Sequence, residues 1–193
     1  MKNWLKITLA IIYLLGIVYL VLPGPVIPNL EPALKSVEPG DTFQIPGVWA
    51  YYTNLSREEA ISYYKKAFSR SSFLKIPLPT YILNHPPEYV RETVRDTQQS
   101  NFYEEIVQPL RESLFVSGWI PKEDKVYLAK SKSKEPITVF TIDGKEYNAK
   151  ITLVYIRSSV LARILVWTGI VLAFILVFQF FKQIIFSPWK PKK

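Results

Sequence analysis

Apolar positions are concentrated in two runs near opposite ends of the chain. The first covers residues 4–22, and the second covers residues 160–181, where only Arg163, Thr168 and Gln179 are polar. At about 1.5 Å of rise per residue, helices of these lengths match the hydrocarbon core of a bilayer, which is roughly 30 Å thick. The second run also lacks the polar stripe of a core helix. The pattern therefore predicts two transmembrane helices.

The first run has two interpretations, a cleaved signal peptide or an anchor that stays in the membrane. A signal peptide has a shorter apolar stretch and small residues at its cleavage site. Here the sequence LVLPGPVIP follows the apolar run, and prolines with branched residues make a poor cleavage site. We therefore favour an uncleaved anchor.

Basic residues near the two runs predict the orientation in the membrane. Six of them flank the outer ends of the runs and three flank the inner ends. The residues at the outer ends of the runs, towards the chain termini, are Lys2, Lys6, Lys182, Lys190, Lys192 and Lys193. Those at the inner ends, towards the middle of the chain, are Lys35, Arg157 and Arg163. Because cytoplasmic flanks carry the excess of lysine and arginine, residues 1–3 and the basic tail 182–193 are expected in the cytoplasm. The two runs are then expected to span a plasma membrane, and the segment between them is expected to be extracytoplasmic.

The charges between the runs are nearly balanced. All 16 acidic residues lie between Glu31 and Glu146, and 17 of the 24 basic residues lie in residues 31–160. A nucleic-acid-binding domain would carry a basic stripe, so no nucleic-acid partner is expected.

The sequence contains no cysteine. Exported domains often contain disulfides, and the lack of cysteine fits a bacterial cell envelope better than a eukaryotic secretory route.

The segment after the first run divides into a stalk and a folded domain. Prolines recur through residues 23–46 and predict an extended, semi-rigid stalk. The domain is expected at residues 47–157. It begins with VWAYYT, which predicts a strand, and with SREEAISYYKKAF, a helix opened by a capping box of Ser56 and Glu59.

Two further blocks are expected to be helical. One is PPEYVRETVRDTQQ, residues 86–99, whose prolines suit a first helical turn. The other is NFYEEIVQPLRESLFVSGW, where apolar residues recur at a spacing of four. They are Phe102, Ile106, Leu110 and Leu114. Pro109 predicts a kink or a restart in this second helix, and Gly118 suits its C-terminal cap.

The remaining signals are those of strands. PTYILN predicts a short strand, and Asp143-Gly144 predicts a two-residue turn that pairs Phe140 with Tyr147. The second strand of this hairpin alternates apolar and polar residues, as antiparallel strands with one buried face do. The sequence therefore predicts an α+β fold in which helices pack on an antiparallel sheet, flanked by two transmembrane helices.

These blocks resemble those of uncharacterised two-span membrane proteins of candidate-phylum bacteria. The resemblance rests on YYTNLS, REEAISYYKKAF, NFYEEIVQPLRESLFVSGW and the hairpin with DGKEY, and it covers most of the middle domain and both apolar runs. It implies an envelope protein of unassigned role. No catalytic residues come with it.

Candidates for chemistry are few. His85 is the single histidine, and without cysteine it cannot form a multi-histidine or thiolate metal site. The carboxylate pairs Glu58/Glu59 and Glu104/Glu105 are expected early in helices, where acids stabilise the helix dipole. A glycosidase would need two carboxylates facing each other across a cleft. No nucleophile-elbow, zincin or P-loop motif occurs in the sequence. We expect no cofactor and no metal.

Two sets of residues are candidates for contacts with the membrane or within it. Arg157, Arg163, Lys130, Lys132 and Lys134 are candidates for contact with lipid head groups, although the lysine segment also fits a solvated loop. Gly169 and Ala173 form a small-xxx-small pair in the second run, which could pack the two spans together or form a dimer.

Two hypotheses for function follow. In the first, the chain is a non-catalytic membrane protein whose domain binds a membrane-protein partner, or a second copy of itself, beside the lipid bilayer. In the second, it is an envelope hydrolase acting on cell-wall or lipid substrates. The lack of a catalytic motif favours the first, and a polar pocket around His85 would favour the second.

Overall fold

The computed structural model describes residues 3–38, 41, 46–86, 100–130 and 136–186. It divides the chain into two compact units, one formed by Met1–Leu22 with Ser158–Lys193 and one formed by Pro23–Arg157. The first contains two long apolar helices, and the second contains an antiparallel sheet packed with helices. The predicted α+β fold class is therefore confirmed.

The described elements are four α-helices, one 3₁₀ turn and eight strands. The helices are α1 (Asn3–Val21), α2 (Arg57–Phe68), α3 (Lys125–Lys130) and α4 (Val160–Phe186), with the 3₁₀ turn at Pro121–Glu123. The strands are β1 (Ala33–Lys35), β2 (Val48–Thr53), β3 (Tyr81–His85), β4 (Phe102–Gln108), β5 (Glu112–Trp119), β6 (Phe140–Ile142), β7 (Lys145–Tyr147) and β8 (Ala149–Arg157).

Helices α1 and α4 are each long and apolar enough to cross a membrane. Their mean hydropathy is 2.2 over Trp4–Val21 and 2.5 over Val160–Ile184. The two helices pack closely where Gly16 meets Trp167. The indole ring occupies the space that a side chain at Gly16 would need. Trp167 Nε1 donates to the carbonyl oxygen of Tyr13 at 3.1 Å, and the Tyr13 and Thr168 hydroxyls lie 3.1 Å apart. Polar groups inside the helix pair thus satisfy each other.

The six-stranded sheet of the second unit has the order β1-β2-β8-β5-β4-β3, with every neighbouring pair antiparallel. Strand β8 is central and long, since it pairs with β2 on one side and with β5 on the other. Strands β6 and β7 form a separate hairpin. Residues that face each other across an antiparallel pair share a face of the sheet, so the register assigns each side chain to one of two faces.

One face of the sheet forms the core with α2. Ile61, Tyr64 and Phe68 of α2 are buried against Ile106 and Leu153 of the sheet. Helix α2 begins at the predicted capping box, in which the Ser56 hydroxyl accepts from the Glu59 amide and the Glu59 carboxylate accepts from the Ser56 amide. The structure thus confirms this predicted helix. It also confirms the predicted strand at Val48–Thr53 and the turn at Asp143-Gly144, which places Phe140 opposite Tyr147.

The predicted helix over residues 101–119 is wrong, because this block forms the β4–β5 hairpin. A spacing of four also fits a strand, where every second side chain lies on one face. Phe102, Ile106 and Leu114 are buried on the core face, but Leu110 lies in the turn and is 43% exposed. Its φ of +61° is rare outside glycine and asparagine. Gly118 lies inside β5 rather than at a helix cap.

The predicted stalk is instead part of the sheet domain as far as it is described. Leu30 is 1% exposed in the core, and β1 pairs with β2. Closer to α1, the Ser71 hydroxyl donates to the Pro23 carbonyl at 2.7 Å, and the Ser72 amide donates to the Gly24 carbonyl at 3.1 Å. The prolines rigidify a segment that packs on the domain. The predicted helix at residues 86–99 lies outside the described residues, apart from Pro86.

Candidate binding surface

The sheet face opposite α2 is covered at one end, whereas at the other end Tyr81, Leu83 and Ile156 are exposed around the buried Tyr103. Near β2 the β6–β7 hairpin lies over it, with the Phe140 ring 5.3 Å from Tyr52 and 5.4 Å from Trp119. We call the other end, on β3, β4, β5 and β8, the open face. Its residues are Tyr81, Leu83, His85, Tyr103, Glu105, Val107, Ser113, Phe115, Val154 and Ile156.

A row of rings crosses three strands of the open face. The His85 ring lies 5.4 Å from Tyr103, which faces it across β3 and β4. Tyr103 is stacked on Phe115 of β5, with centroids 5.5 Å apart and planes 10° apart. Offset stacking of this kind stabilises aromatic pairs beyond the area that they bury. The central ring, Tyr103, is only 6% exposed, and His85 and Phe115 are half-buried, so the row is mostly packed within the domain.

A polar centre lies beside this row. Glu105 bridges two side chains, because one carboxylate oxygen lies 3.0 Å from His85 Nε2 and the other accepts a hydrogen bond from the Ser113 hydroxyl. The three residues come from β3, β4 and β5. The carboxylate is therefore satisfied by neighbours on both sides.

This arrangement differs from a nucleophilic triad. In a serine hydrolase the imidazole lies between the hydroxyl and the carboxylate, so that it takes the hydroxyl proton. Here the carboxylate lies in the middle, and the Ser113 hydroxyl is directed at an oxygen of Glu105. Carboxylates are weaker bases than imidazole. The geometry favours a structural polar bridge over an activated serine.

An open recess lies at the ends of β3 and β4, next to the open face. Its lining includes Arg57, Asn84, His85, Pro86, Asn101 and Phe102. Arg57 Nε donates to Glu104 at 2.8 Å, and its guanidinium lies 5.5 Å from the centre of the Phe102 ring. The recess thus presents one guanidinium, one imidazole and two amides, and the guanidinium and the imidazole each lie against a glutamate carboxylate.

The carboxylate pairs are not placed as the sequence predicted. Glu104 and Glu105 lie in β4 rather than early in a helix, and as neighbours in a strand they point to opposite faces. Glu104 pairs with Arg57 on the core face. Glu58 and Glu59 do lie in the first turn of α2, where Glu59 completes the capping box. Neither pair forms two carboxylates facing each other across a cleft.

A buried cluster of charged and polar side chains lies at the β4–β5 turn. It consists of Gln108, Arg111, Glu112 and Tyr155. The Arg111 and Glu112 side chains are fully buried and 2.8 Å apart, and Tyr155 donates its hydroxyl hydrogen to Glu112. Arg111 also donates to Gln108, whose amide donates to the Phe68 carbonyl.

Gly24 packs directly against this buried cluster. A Cβ at Gly24 would lie 2.8 Å from a carboxylate oxygen of Glu112 and 2.9 Å from the Tyr155 hydroxyl. A larger residue at this position would therefore require the ends of the Glu112 or Tyr155 side chains to shift within the buried cluster. The beginning of the domain is therefore in close contact with the buried cluster.

A second cluster, formed by Glu38, Asp41, Tyr52 and Lys150, lies on the sheet face opposite α2, near the end that the β6–β7 hairpin covers. We call it the half-exposed cluster. Lys150 Nζ is 3.0 Å from Glu38 and 2.8 Å from Asp41. The hydrogen bonds from Lys150 and Tyr52 lower the pKa of Glu38. Burial alone would lower the pKa of Lys150, but the hydrogen bonds to Asp41 and Glu38 outweigh burial and raise it. Burial, followed by the bond to Glu38, raises the pKa of Tyr52.

The two arginines predicted at the membrane surface lie in different surroundings. Arg157 is exposed at the end of β8, opposite Glu112 in register. Arg163 is 2% exposed, so its predicted role as a lipid-contacting side chain is not supported. Its guanidinium donates to the Ser158 carbonyl and hydroxyl at 3.2 and 3.0 Å, and it lies 3.5 Å from the Leu20 carbonyl. Its guanidinium instead lies against backbone carbonyl oxygens at the beginning of α4 and near the end of α1.

The remaining predicted residues do not form a site in the described part of the chain. Lys130 ends α3, and Lys132 and Lys134 lie outside the described residues. Gly169 and Ala173 are exposed on α4, and a side chain at Gly169 would meet no atom within 4 Å. They do not pack α4 on α1, since Gly16 and Trp167 do so instead. The alternative, a dimer through Gly169 and Ala173, stays a prediction.

Comparisons with known proteins add no relative. The chain matches no family model, no curated protein and no solved structure. The resemblance to two-span proteins of candidate-phylum bacteria therefore stays a prediction. Among the described residues, no group of three or more histidine, aspartate or glutamate side chains could hold a metal ion.

Sequence reasoning missed the open face and the buried cluster. Both depend on β4 and β5, which were predicted to be helical. A signal was present, because FYEEIVQ and ESLFVSGW each contain several of the β-branched and aromatic residues favoured in strands. The turn between them lacks glycine and asparagine, so Pro109 indicated a break in the block without indicating a turn between two strands.

Proposed function

We propose that this protein is a two-span integral membrane protein whose sheet domain is a binding module rather than an enzyme. The membrane part of the proposal is supported by α1 and α4. Only 6% of the residues in each apolar window are buried, so both helices present apolar side chains outward over their whole length. Such a surface is stable in lipid and unfavourable in water.

The topology in this proposal has both termini in the cytoplasm and the sheet domain outside, in a plasma membrane. Its support is the basic residues on the outer flanks. The contacts between α1 and α4 agree with it, since Leu20 near the end of α1 lies by Arg163 near the beginning of α4. The helices are thus antiparallel, as two spans joined by one exported domain must be.

One observation carries the binding function, namely the open face itself. It combines exposed apolar side chains, such as Tyr81 at 58% and Ile156 at 54%, with half-buried rings of His85 and Phe115 and a satisfied polar centre. Apolar aromatic surface around a few paired polar groups is typical of protein interfaces. We propose a membrane protein, or a second copy of this chain, as the partner.

A hydrolase is the second candidate, and the recess at His85 favours it. Arg57 and His85 could contact an anionic or hydroxyl-rich substrate there, although both are paired with glutamates. If the purified chain hydrolyses a cell-wall or lipid substrate and His85→Gln abolishes turnover without loss of folding, the hydrolase replaces the binding module.

The lack of native cysteine allows a clean test of the topology. Single cysteines are placed at exposed Lys75 in the sheet domain and at Lys193 in the tail. A membrane-impermeant maleimide should label Lys75→Cys in intact spheroplasts, and it should label Lys193→Cys only after lysis. The reverse pattern would overturn the orientation, and release of the chain by alkaline carbonate would overturn membrane insertion.

Binding through the open face is tested by a photo-crosslinking amino acid at Val107 or Phe115. Lys66, exposed on α2 on the other side of the sheet, is the matched control. We expect discrete adducts of higher mass from the open-face positions and none from Lys66. Equal crosslinking at all three positions would show that the open face is not the binding surface.

A further inference from the structure

Two turns of the sheet domain expose apolar side chains. The first, residues 71–76, follows α2, and the second is the β4–β5 turn. Leu74 in the first turn is 77% exposed, beside Phe73 at 52%, and Leu110 in the second turn is 43% exposed. We call Leu74 and Leu110 the tip leucines. Exposure of single apolar residues is common, but here it coincides with an unusual backbone conformation.

The backbone at both tips adopts the left-handed conformation. The angle φ is +50° at Leu74, +52° at Lys75 and +61° at Leu110. A Cβ atom makes this conformation costly, and glycine or asparagine adopts it at lower cost. In a turn with only a structural role, either of those residues would be more stable than an exposed leucine. The tip leucines therefore lower stability in water, and backbone strain of this kind is typical of functional surfaces.

Both turns contact the beginning of the sheet domain. The amide of Ser72, two residues before Leu74, donates to the Gly24 carbonyl at 3.1 Å. A Cβ at Gly24 would lie 2.8 Å from the carboxylate of Glu112, two residues after Leu110. The segment at Gly24 thus contacts one turn through its carbonyl oxygen and the other through its Cα.

The chain leaves the sheet domain for the apolar helices beside these turns. Helix α1 ends at Val21, three residues before Gly24. Arg157 ends β8 opposite Glu112, and α4 begins three residues later at Val160. In the two-span protein proposed above, Val21 and Val160 end segments that lie in lipid. Three residues reach at most about 10 Å, so the residues beside both turns cannot lie far from the membrane surface.

Charge around the first turn suits a phospholipid surface. Residues 60–87 contain four basic residues and no acidic residue, and all four are exposed. They are Lys65, Lys66, Arg70 and Lys75. Every phospholipid head group carries a phosphate, and basic side chains beside a membrane are attracted to anionic head groups. The long lysine side chains also allow the charge to stay at head-group depth while apolar neighbours lie deeper.

We propose that the tip leucines and Phe73 insert into the head-group region of the bilayer, where Lys75 contacts lipid phosphates. Apolar side chains at the boundary between head groups and acyl chains, with basic side chains beside them, are typical of interfacial binding. The proposal deepens the proposed function, because it gives the sheet domain a lipid contact of its own, separate from the open face. It rests on the two spans that bring the domain to the membrane.

The cysteine-free sequence allows a fluorescent label to be placed at one chosen position. Leu74→Cys and Leu110→Cys, each labelled with an environment-sensitive fluorophore, are reconstituted as full-length chains into vesicles of phosphatidylcholine and phosphatidylglycerol. Nitroxide groups on the lipids, placed just below the head groups, quench only fluorophores that reach them. We expect strong quenching at both positions, with emission at a shorter wavelength than at a water-exposed position.

Ile137→Cys is the matched control, since Ile137 is an exposed apolar residue at the other end of the domain. Its amide donates to the Tyr127 hydroxyl at 2.9 Å, and Tyr127 packs on Trp119, the last residue of β5. Strand β5 begins at Glu112, beside the turn with Leu110, and its eight residues span about 24 Å. We expect severalfold weaker quenching at position 137. Equal quenching at positions 74, 110 and 137 overturns the proposal.

Two substitutions test apolar area and charge separately, with the label at position 74. Leu110→Asn removes apolar area without adding strain, because asparagine suits a positive φ, and it should weaken the quenching. Lys75→Glu should weaken the quenching in vesicles with phosphatidylglycerol more than in phosphatidylcholine alone, because anionic lipid repels a carboxylate. Unchanged quenching in both variants would show that the label, rather than the protein surface, enters the lipid, and would overturn the proposal.

The same labels distinguish lipid from a protein partner. The vesicles contain only this chain, so a second copy is the one protein that can cover the tips. A short emission wavelength without quenching by the nitroxide lipids would mean that a second copy covers them, and the lipid contact would be wrong.

Carbonate extraction of the same vesicles separates this proposal from the one on which it rests. If the chain stays in the membrane and neither tip position is quenched, the tip contact is wrong and the two-span protein stands. If carbonate extracts a chain whose tips were strongly quenched, the two spans are wrong and the sheet domain binds lipid at the membrane surface.

Discussion

The buried cluster and the half-exposed cluster both contact the segment that follows α1, the first at Gly24 and the second through Glu38 and Asp41, yet they depend on different physics. In the buried cluster the side chains of Arg111 and Glu112 are fully excluded from water. In the half-exposed cluster the Glu38 side chain is 55% exposed. A buried charge that loses its partner remains desolvated and costly, whereas an exposed charge is solvated by water. Similar ion pairs therefore carry very different penalties when they are broken.

Removal of the whole segment breaks both clusters at once and should have the largest effect. A fragment of residues 23–157 should be soluble and unfold cooperatively. A fragment of residues 47–157 lacks Leu30, β1, Glu38 and Asp41, and the loss of one core leucine alone costs about 2–5 kcal/mol. We expect the shorter fragment to be largely unfolded, as measured by circular dichroism and urea titration. Equal stability of the two fragments would restore the stalk interpretation.

Substitution within the buried cluster should have the next largest effect. Glu112→Ala leaves Arg111 buried without its carboxylate and should lower the free energy of unfolding by about 3–5 kcal/mol. Glu38→Ala is the matched change in the half-exposed cluster and should cost less than about 1 kcal/mol. Urea unfolding of both variants measures the difference.

A double variant separates lost attraction from stranded charge. Arg111→Met with Glu112→Leu removes both charges, and replacing a buried pair by apolar residues of similar size is often neutral. We expect it to recover most of the stability lost in Glu112→Ala. No recovery would mean that the hydrogen bonds to Gln108 and Tyr155, rather than the stranded charge, dominate.

Gly24→Ala probes the buried cluster from the other side. The added Cβ would lie 2.8 Å from Glu112, and overpacking of this kind costs about 1–3 kcal/mol. Gly169→Ala is a suitable control, since its Cβ would meet nothing within 4 Å. A thermal shift for Gly24→Ala no larger than that for Gly169→Ala would show that the segment moves away at little cost.

The pH dependence of the half-exposed cluster should be the smallest effect. The lowered pKa of Glu38 means that its stabilisation is present above the ordinary value of 4.5 and is lost as pH falls through the folded-state pKa. The raised pKa of Lys150 means that its contribution is present below 10.5 and is lost as pH rises through the folded-state pKa. The stability difference between wild type and Glu38→Gln should therefore be greatest between about pH 5 and pH 10 and shrink on both sides. A difference that grows towards low pH would contradict this assignment.

Much of the fold could be predicted where the signal is local. The capping box joins Ser56 to a residue three positions away, and the Asp143-Gly144 turn needs only its own two residues with positive φ. Both were predicted correctly. The hairpin of β4 and β5 was not, because a spacing of four residues fits a helix and also fits one face of a strand.

The candidate site could be predicted only in part. His85 and Glu105 were singled out as residue types, but their pairing 3.0 Å apart depends on the register of β3 with β4. The burial of the Arg111–Glu112 pair is not predictable from the sequence, because adjacent opposite charges usually lie on a solvated surface. Their burial follows from the turn that folds them under α2 and against Gly24.

The sequence by itself determined the elements whose cause lies within a few residues. It also determined the two apolar helices, which the length and composition of the two apolar runs predict. Tertiary structure decided the faces. It placed Gly16 rather than Gly169 in the helix contact, buried Arg163 against backbone carbonyls, and packed residues 23–35 onto the domain. In each case the deciding partner is distant in sequence, so the free energy of the contact depends on packing that no local pattern records.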